Sequence, residues 1–127
     1  MPKWCRVLIV DDEPQFIDLM KTRLEANDYE VLTAYDGQEA LDKVRQEKPD
    51  LIILDVGLPK IDGFEVIKAL QTEEHFKNIP IIMLTGHTGA NEIKTGMELG
   101  AVSYVQKPFK AETLLALIHG LMNDGSG

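Results

Sequence analysis

The sequence predicts a doubly wound α/β domain with a five-stranded parallel sheet in the order 2-1-3-4-5. Three observations lead there. Five short apolar runs punctuate the 127 residues, and stretches of helical periodicity lie between them. Three of the runs, Val7–Val10, Leu51–Leu54 and Ile81–Leu84, are continuous rather than alternating in apolar residues. Continuity of that kind marks strands covered on both faces, as in a parallel sheet. Strict strand–helix alternation places helices on both sides of such a sheet. Right-handed crossovers then leave few topologies, of which 2-1-3-4-5 is the five-stranded doubly wound one.

The elements follow in order. The strand candidates are Cys5–Val10, Glu30–Tyr35, Leu51–Leu54, Ile81–Leu84 and Val102–Val105. Phe16, Ile17, Met20 and Leu24 share one face of a first helix. Ala40, Leu41 and Val44 do so in a second, and Phe64, Ile67 and Leu70 in a third. Leu114, Leu117, Ile118 and Leu121 form the stripe of the last, with Leu115 and Met122 on a second stripe open to core packing or to a partner. Asp36 to Glu39 and Asp62 to Glu65 read as capping boxes, an acidic N-cap with Glu three positions on. Asp12 to Gln15 reads as a third, with Pro14 in the first turn. Thr88 is the expected cap of the fourth helix, which carries Gly89 and Gly96 and ends near Gly100. An internal glycine costs a helix about 1 kcal/mol, so this helix is expected to be the most mobile element. Residues 1–122 are read as one domain and 123–127 as a flexible tail.

Composition bounds the function. Twenty-one acidic residues against thirteen basic give a net charge of −8. Such a chain is repelled by phosphate backbones and anionic lipid, so direct binding to nucleic acid or membrane is not expected. The single cysteine, Cys5, allows no internal disulfide and reads as a small core residue; Trp4 is expected to cover the end of the sheet. No apolar run approaches the roughly 20 residues that span a bilayer. Met1–Trp4 lead into a strand without a signal-peptide layout, and a cytoplasmic location is expected.

In a doubly wound sheet, ligands gather at the carboxyl ends of the strands. Asp11 and Asp12 follow the first strand, Asp55 the third, Thr85 the fourth and Lys107 the fifth. Two carboxylates about 4 Å apart repel by about 4 kcal/mol at an effective dielectric of 20. Three carboxylates with one lysine therefore call for a divalent cation, and an all-carboxylate set with few protein ligands suits Mg²⁺. A metal alone has no use for Thr85 and Lys107. A phosphoryl group would use both, one as hydroxyl donor and the other as a compact cation. Asp55, alone at the central strand, is the candidate nucleophile, and Asp11 with Asp12 the chelating pair. Singly, Asp12 could be a helix cap, Thr85 a β-branched strand residue and Lys107 a loop residue. Together, on one sheet edge, they point to phosphoryl chemistry.

These residues resemble the receiver domains of two-component response regulators, the CheY-like family with its flavodoxin-like fold. The resemblance spans Arg6 to Met122 and rests on Val10-Asp11-Asp12-Glu13, Asp55 to Gly63, Leu84-Thr85-Gly86, Gly100-Ala101 and Lys107-Pro108-Phe109. It implies that Asp55 accepts phosphate from a histidine kinase or phosphotransfer protein. It implies that Asp11, Asp12, Asp55 and the Gly57 carbonyl hold Mg²⁺, and that Thr85 and Lys107 hold the phosphoryl group. It further implies a cis bond before Pro108 and a switch in which Tyr104 turns inward. That switch would bias the fourth helix, fifth strand and fifth helix toward an effector or output domain, or toward a second copy in a homodimer.

Two positions depart from common forms of the family. Gly57 has no side chain, and His87 stands two residues after Thr85. Both flank the path of a water attacking the phosphoryl bond and are expected to set acyl-phosphate lifetime. His75 and His119 lack ligand spacing and read as surface residues. A phosphatase of the haloacid dehalogenase type would need a second Asp two residues after its nucleophile, where Gly57 or Glu13 stands. A flavin mononucleotide carrier would need a phosphate loop where Asp11-Asp12-Glu13 would repel one. A pseudo-receiver, a protein-binding module only, would have lost one of the five key residues. The expected product is a signalling domain and not an enzyme for external substrates.

Overall fold

The computed structural model describes residues 5–58, 62–86 and 90–123. Its elements alternate as β1 (Arg6–Val10), α1 (Pro14–Glu25), β2 (Glu30–Ala34), α2 (Gly37–Glu47), β3 (Leu51–Asp55), α3 (Gly63–Gln71), β4 (Ile81–Thr85), α4 (Ala90–Leu99), β5 (Ser103–Gln106) and α5 (Ala111–Asn123). All strand pairings are parallel and the order is β2-β1-β3-β4-β5, as the sequence predicts.

The continuous apolar runs divide between two cores. Leu8, Val10, Ile52, Leu54, Ile81 and Met83 face α2 and α3, where Ala40, Leu41, Val44, Val66, Ile67 and Leu70 meet them. Val7, Ile9, Leu51, Ile53, Ile82 and Leu84 face α1 and α5, against Ile17, Met20, Leu24, Leu114 and Ile118. Each fully buried aliphatic side chain contributes about 1.5–3 kcal/mol of apolar burial, so both faces of the sheet are strongly driven. Leu115 and Met122, the second stripe of α5, are partly buried against this second core. Core packing therefore accounts for that stripe.

The ends differ from expectation in ways the site explains. β3 and β4 run one residue further, to include Asp55 and Thr85. β2 stops at Ala34 because the Tyr35 N–H turns to the Glu39 carboxylate. The Glu39 N–H donates to Asp36 at 2.8 Å, and the Glu65 N–H to Asp62 at 3.0 Å, so both acidic N-caps anchor their helices. The third does not form. Glu13, not Asp12, is the N-cap of α1 and makes no side-chain cap bond. The Glu13 N–H donates instead to Asp11 Oδ1 at 3.0 Å, which draws the turn into the site. Cys5 precedes β1 and is half-buried rather than core, its Sγ 2.9 Å from Met122 Sδ. Trp4, Thr88, Gly89 and residues 124–127 lie outside the described residues.

Candidate functional site

Register fixes the floor of the site. Val10 pairs with Leu54 and Asp55 with Leu84, so Asp11 and Asp55 leave neighbouring strands at one level and Thr85 follows one residue further along β4. The Asp11 N–H still donates to Ala34 O at 3.1 Å, and the Val56 N–H to Leu84 O at 3.2 Å. Ladder bonds thus extend past the strand ends and hold both acidic residues to the sheet. Lys107 is held the same way, its N–H donating to Thr85 O at 2.7 Å. The Lys107–Pro108 peptide is cis. Gly63 lets α3 begin directly against β3, since a Cβ there would lie 2.6 Å from Val56 Cα and 2.8 Å from Asp55 O.

The side chains converge. Asp11, Asp12 and Asp55 each offer a carboxylate oxygen within 4.8 Å of the others. Lys107 Nζ donates to Asp11 Oδ2 at 2.8 Å and to Asp55 Oδ2 at 3.2 Å. The Gly57 N–H donates to Asp55 Oδ1 at 2.8 Å, so the nucleophile candidate is oriented through both oxygens. Asp11 is fully buried, and Asp12 is exposed at the mouth. Burial pushes the Asp11 carboxyl above its ordinary range; the Lys107 and Glu13 hydrogen bonds offset this only in part. At Lys107 burial works downward, but the Asp11 hydrogen bond and the Asp55 charge outweigh it, and the ammonium titrates above its ordinary value. The two shifts thus have different origins: burial dominates at Asp11, and the neighbouring carboxylates prevail over burial at Lys107.

Thr85 completes the pocket. It is 1% exposed, and its hydroxyl finds no hydrogen-bond partner among the described residues. A buried, unsatisfied hydroxyl costs about 1–3 kcal/mol, so this one is free to donate to an acceptor that enters the pocket.

Two further neighbours approach the ammonium, and of these only Phe16 lies outside the motifs. Glu13 Oε1 stands 3.6 Å from Lys107 Nζ. The Phe16 ring lies beneath the same ammonium, 5.1 Å from Nζ to the ring centroid, and Phe109 packs edge-on against it at 5.8 Å. By its spacing Phe16 belongs to the α1 core stripe; it sits at the stripe's first turn, beside the lysine that follows β5. The Phe109 that follows Lys107-Pro108 was the available hint.

The family profile described as response regulator receiver domain matches residues 7–119. The chain belongs to the response regulator receiver domains. It is 44% identical over 117 residues to the alkaline phosphatase synthesis transcriptional regulatory protein PhoP of Bacillus subtilis, covering 92% of this chain and 48% of that protein. The chain thus spans about half the length of the curated relatives it matches. Among solved structures it is similar to the chemotaxis protein CheY4 of Vibrio cholerae, with 38% identity, a TM-score of 0.86, and 92% and 98% of the two chains covered. It is also similar to the signal receiver domain of a signal transduction histidine kinase from Syntrophus aciditrophicus, with 30% identity, a TM-score of 0.88, and 96% and 92% covered.

Receiver domains are the phosphoryl-accepting signalling domains of two-component systems, working between a histidine kinase and an output domain. The rival phosphatase, flavin-carrier and pseudo-receiver readings are not favoured. Other sequence candidates of this receiver fall as follows. Tyr104 points outward from β5 and is 42% exposed. His87 lies outside the described residues. His75 is exposed, edge-on to Phe76 at 6.3 Å. His119 is exposed on α5, its Nδ1 3.5 Å from the Tyr29 hydroxyl. Among the described residues, no helix is long and apolar enough to cross a membrane.

Proposed function

We propose that Asp55 is the phosphoryl acceptor of this receiver, supplied by a partner histidine kinase or phosphotransfer protein. The observation that carries the reading is the Asp55 carboxylate, oriented by the Gly57 N–H and by Lys107, beside two further carboxylates. An Asp55 oxygen bonds to phosphorus as the P–N bond of a phosphohistidine breaks, and the electron pair leaves on the imidazole nitrogen. The product is an acyl phosphate. The Lys107 ammonium compensates charge on the transferred group, and the Thr85 hydroxyl donates to one of its oxygens.

Asp11, Asp12, Asp55 and the Gly57 carbonyl would hold Mg²⁺; the donor set fits, since hard carboxylate oxygens in excess of one ammonium suit a hard divalent ion. When bound, Mg²⁺ would supply neutralisation of the negative charge gathered on the phosphoryl oxygens and the carboxylates. As Thr85 turns to its new acceptor, it frees space behind β4 and β5 for the exposed Tyr104. The α4–β5–α5 face then changes shape for an effector, an output domain or a second copy of the chain. Residues 1–122 belong to the working domain, with α5 carrying it on to Asn123; it acts in the cytoplasm and turns over no external substrate.

The test is incubation with acetyl phosphate and Mg²⁺, read by intact mass. The wild type gains one phosphoryl group and Asp55→Ala gains none; equal uptake by both would refute the assignment. Gly57 and His87 would tune the lifetime of the product. Among the described residues a Cβ at 57 meets only Asp55 Oδ1, at an ordinary 3.6 Å, so Gly57→Asn changes the dephosphorylation rate while leaving the urea midpoint in place. An unchanged rate in His87→Ala would remove His87 from this role.

A further inference from the structure

We propose that Phe16 is a positioning residue for phosphoryl transfer, its ring face holding the Lys107 ammonium in the site by a cation–π contact. The inference rests on the reading of Asp55 as acceptor, but its geometry stands apart from that reading.

Lys107 is only one-quarter exposed and its ammonium is pulled three ways. Asp11 lies at 2.8 Å, Asp55 at 3.2 Å and Glu13 at 3.6 Å, and these carboxylates belong to two different strand ends and a helix cap. A flexible four-carbon side chain under such pulls has several acceptable positions. To serve the reaction it must leave Asp11 in part and follow the oxygens arriving at Asp55. The ring at 5.1 Å supplies attraction that is broad rather than directional, so it persists as Nζ moves across the ring face. Phe109 holds that ring edge-on, and Phe109 is two residues from Lys107 along the chain. Helix α1 and the β5–α5 segment are thereby clasped through one aromatic pair, and Lys107, on that segment, lies over the α1 ring. Hydrophobic packing alone would accept any apolar side chain at position 16. A role for the ring's electrons would not.

The test separates these. Acetyl phosphate serves as donor, because a small donor needs no docking surface on α1. Phe16→Tyr keeps the ring, Phe16→Leu keeps apolar volume, and site-specific fluorinated phenylalanines at 16 withdraw electron density stepwise at nearly constant shape. We expect the phosphorylation rate of Phe16→Tyr to match wild type. In Phe16→Leu it falls about two- to fivefold, the size of a partly exposed cation–π contact. The rate falls progressively along the fluorinated series, while urea midpoints across that series coincide. The Lys107 ε-methylene protons carry an upfield ring-current shift in wild type, lost in Phe16→Leu.

Equal rates along the fluorinated series would overturn the proposal, as would ε-methylene protons at their ordinary position in wild type. If wild type takes up no phosphoryl group, the Asp55 assignment fails instead. The ring-current shift and its dependence on the ring then decide the Phe16 contact alone.

Discussion

The two halves of the sheet are held with unequal force, and the site straddles them. On the β2-β1-β3 side, α2 and α3 each bury four residues and each begins at an Asp whose carboxylate accepts a backbone N–H. On the β4–β5 side, α4 buries one residue, Gly96, and the outer strand β5 buries only Val105. Asp11, Asp12 and Asp55 stand on the first half; Thr85 and Lys107 stand on the second. The carboxylates are thus fixed against a strongly packed frame. Thr85 shares that firmness, since β4 is buried along its whole length, whereas Lys107 follows the sparsely buried β5, where rearrangement costs least. Switching elements are drawn from the weakly held part of a fold, because a ligand can shift only equilibria comparable to its own differential affinity.

The sharpest way to break this comparison is to truncate one residue on each side. Ile67→Ala on α3 removes a fully buried side chain and should cost about 2–5 kcal/mol by urea unfolding. Leu99→Ala on α4, half-buried, should cost well under half as much. Equal losses would mean that α4 is anchored as firmly as α3.

A second prediction concerns how α4 is anchored at all. A Cβ on Gly96 would fall 1.8 Å from Met83 Sδ. Gly96→Ala should therefore cost about 1–3 kcal/mol of overpacking, with the lower end reached if Met83 changes rotamer. Pairing it with Met83→Ala should recover part of the loss relative to the sum of the single changes, measured as a double-mutant cycle.

Smaller again is the cap. Asp36→Ala removes the bond from the Glu39 N–H and should cost about 1 kcal/mol, the usual cap contribution. A readout of reactivity rather than stability comes from the base of the firm half. Burial, followed by the charge of Asp50, pushes the Cys5 thiol up to about 11 from 9.0. At pH 8 the native protein then carries on the order of a hundredfold less thiolate at this residue than the unfolded chain. Its alkylation should be correspondingly slow in native buffer and should rise through a pH near 11 rather than 9.

Much of this was legible in the sequence because it is periodic. Continuous runs such as Leu51–Leu54 announce strands covered twice, and Asp36 and Asp62 announce helices by a local rule the structure obeys. The five polar residues are legible because each follows a strand, and the sheet order makes strand ends neighbours. The first turn was misread where local and tertiary demands diverge. Asp12 has the spacing of a cap, but Asp11 takes the Glu13 N–H and the cap passes to Glu13. Phe16 illustrates the other limit. Its spacing assigns it a face of α1, and only the packing of α1 against the β5 exit brings a lysine 91 positions away over its ring.

The contrast between the halves is tested most directly by native-state hydrogen exchange, residue by residue, with and without acetyl phosphate and Mg²⁺. Amides of α2, α3 and β1 should exchange only by global unfolding and keep their rates on phosphorylation, whereas those of α4 and β5 should open at lower free energy and change when Asp55 is charged. Uniform protection across both halves, or a phosphorylation response centred on α2 and α3, would contradict the account.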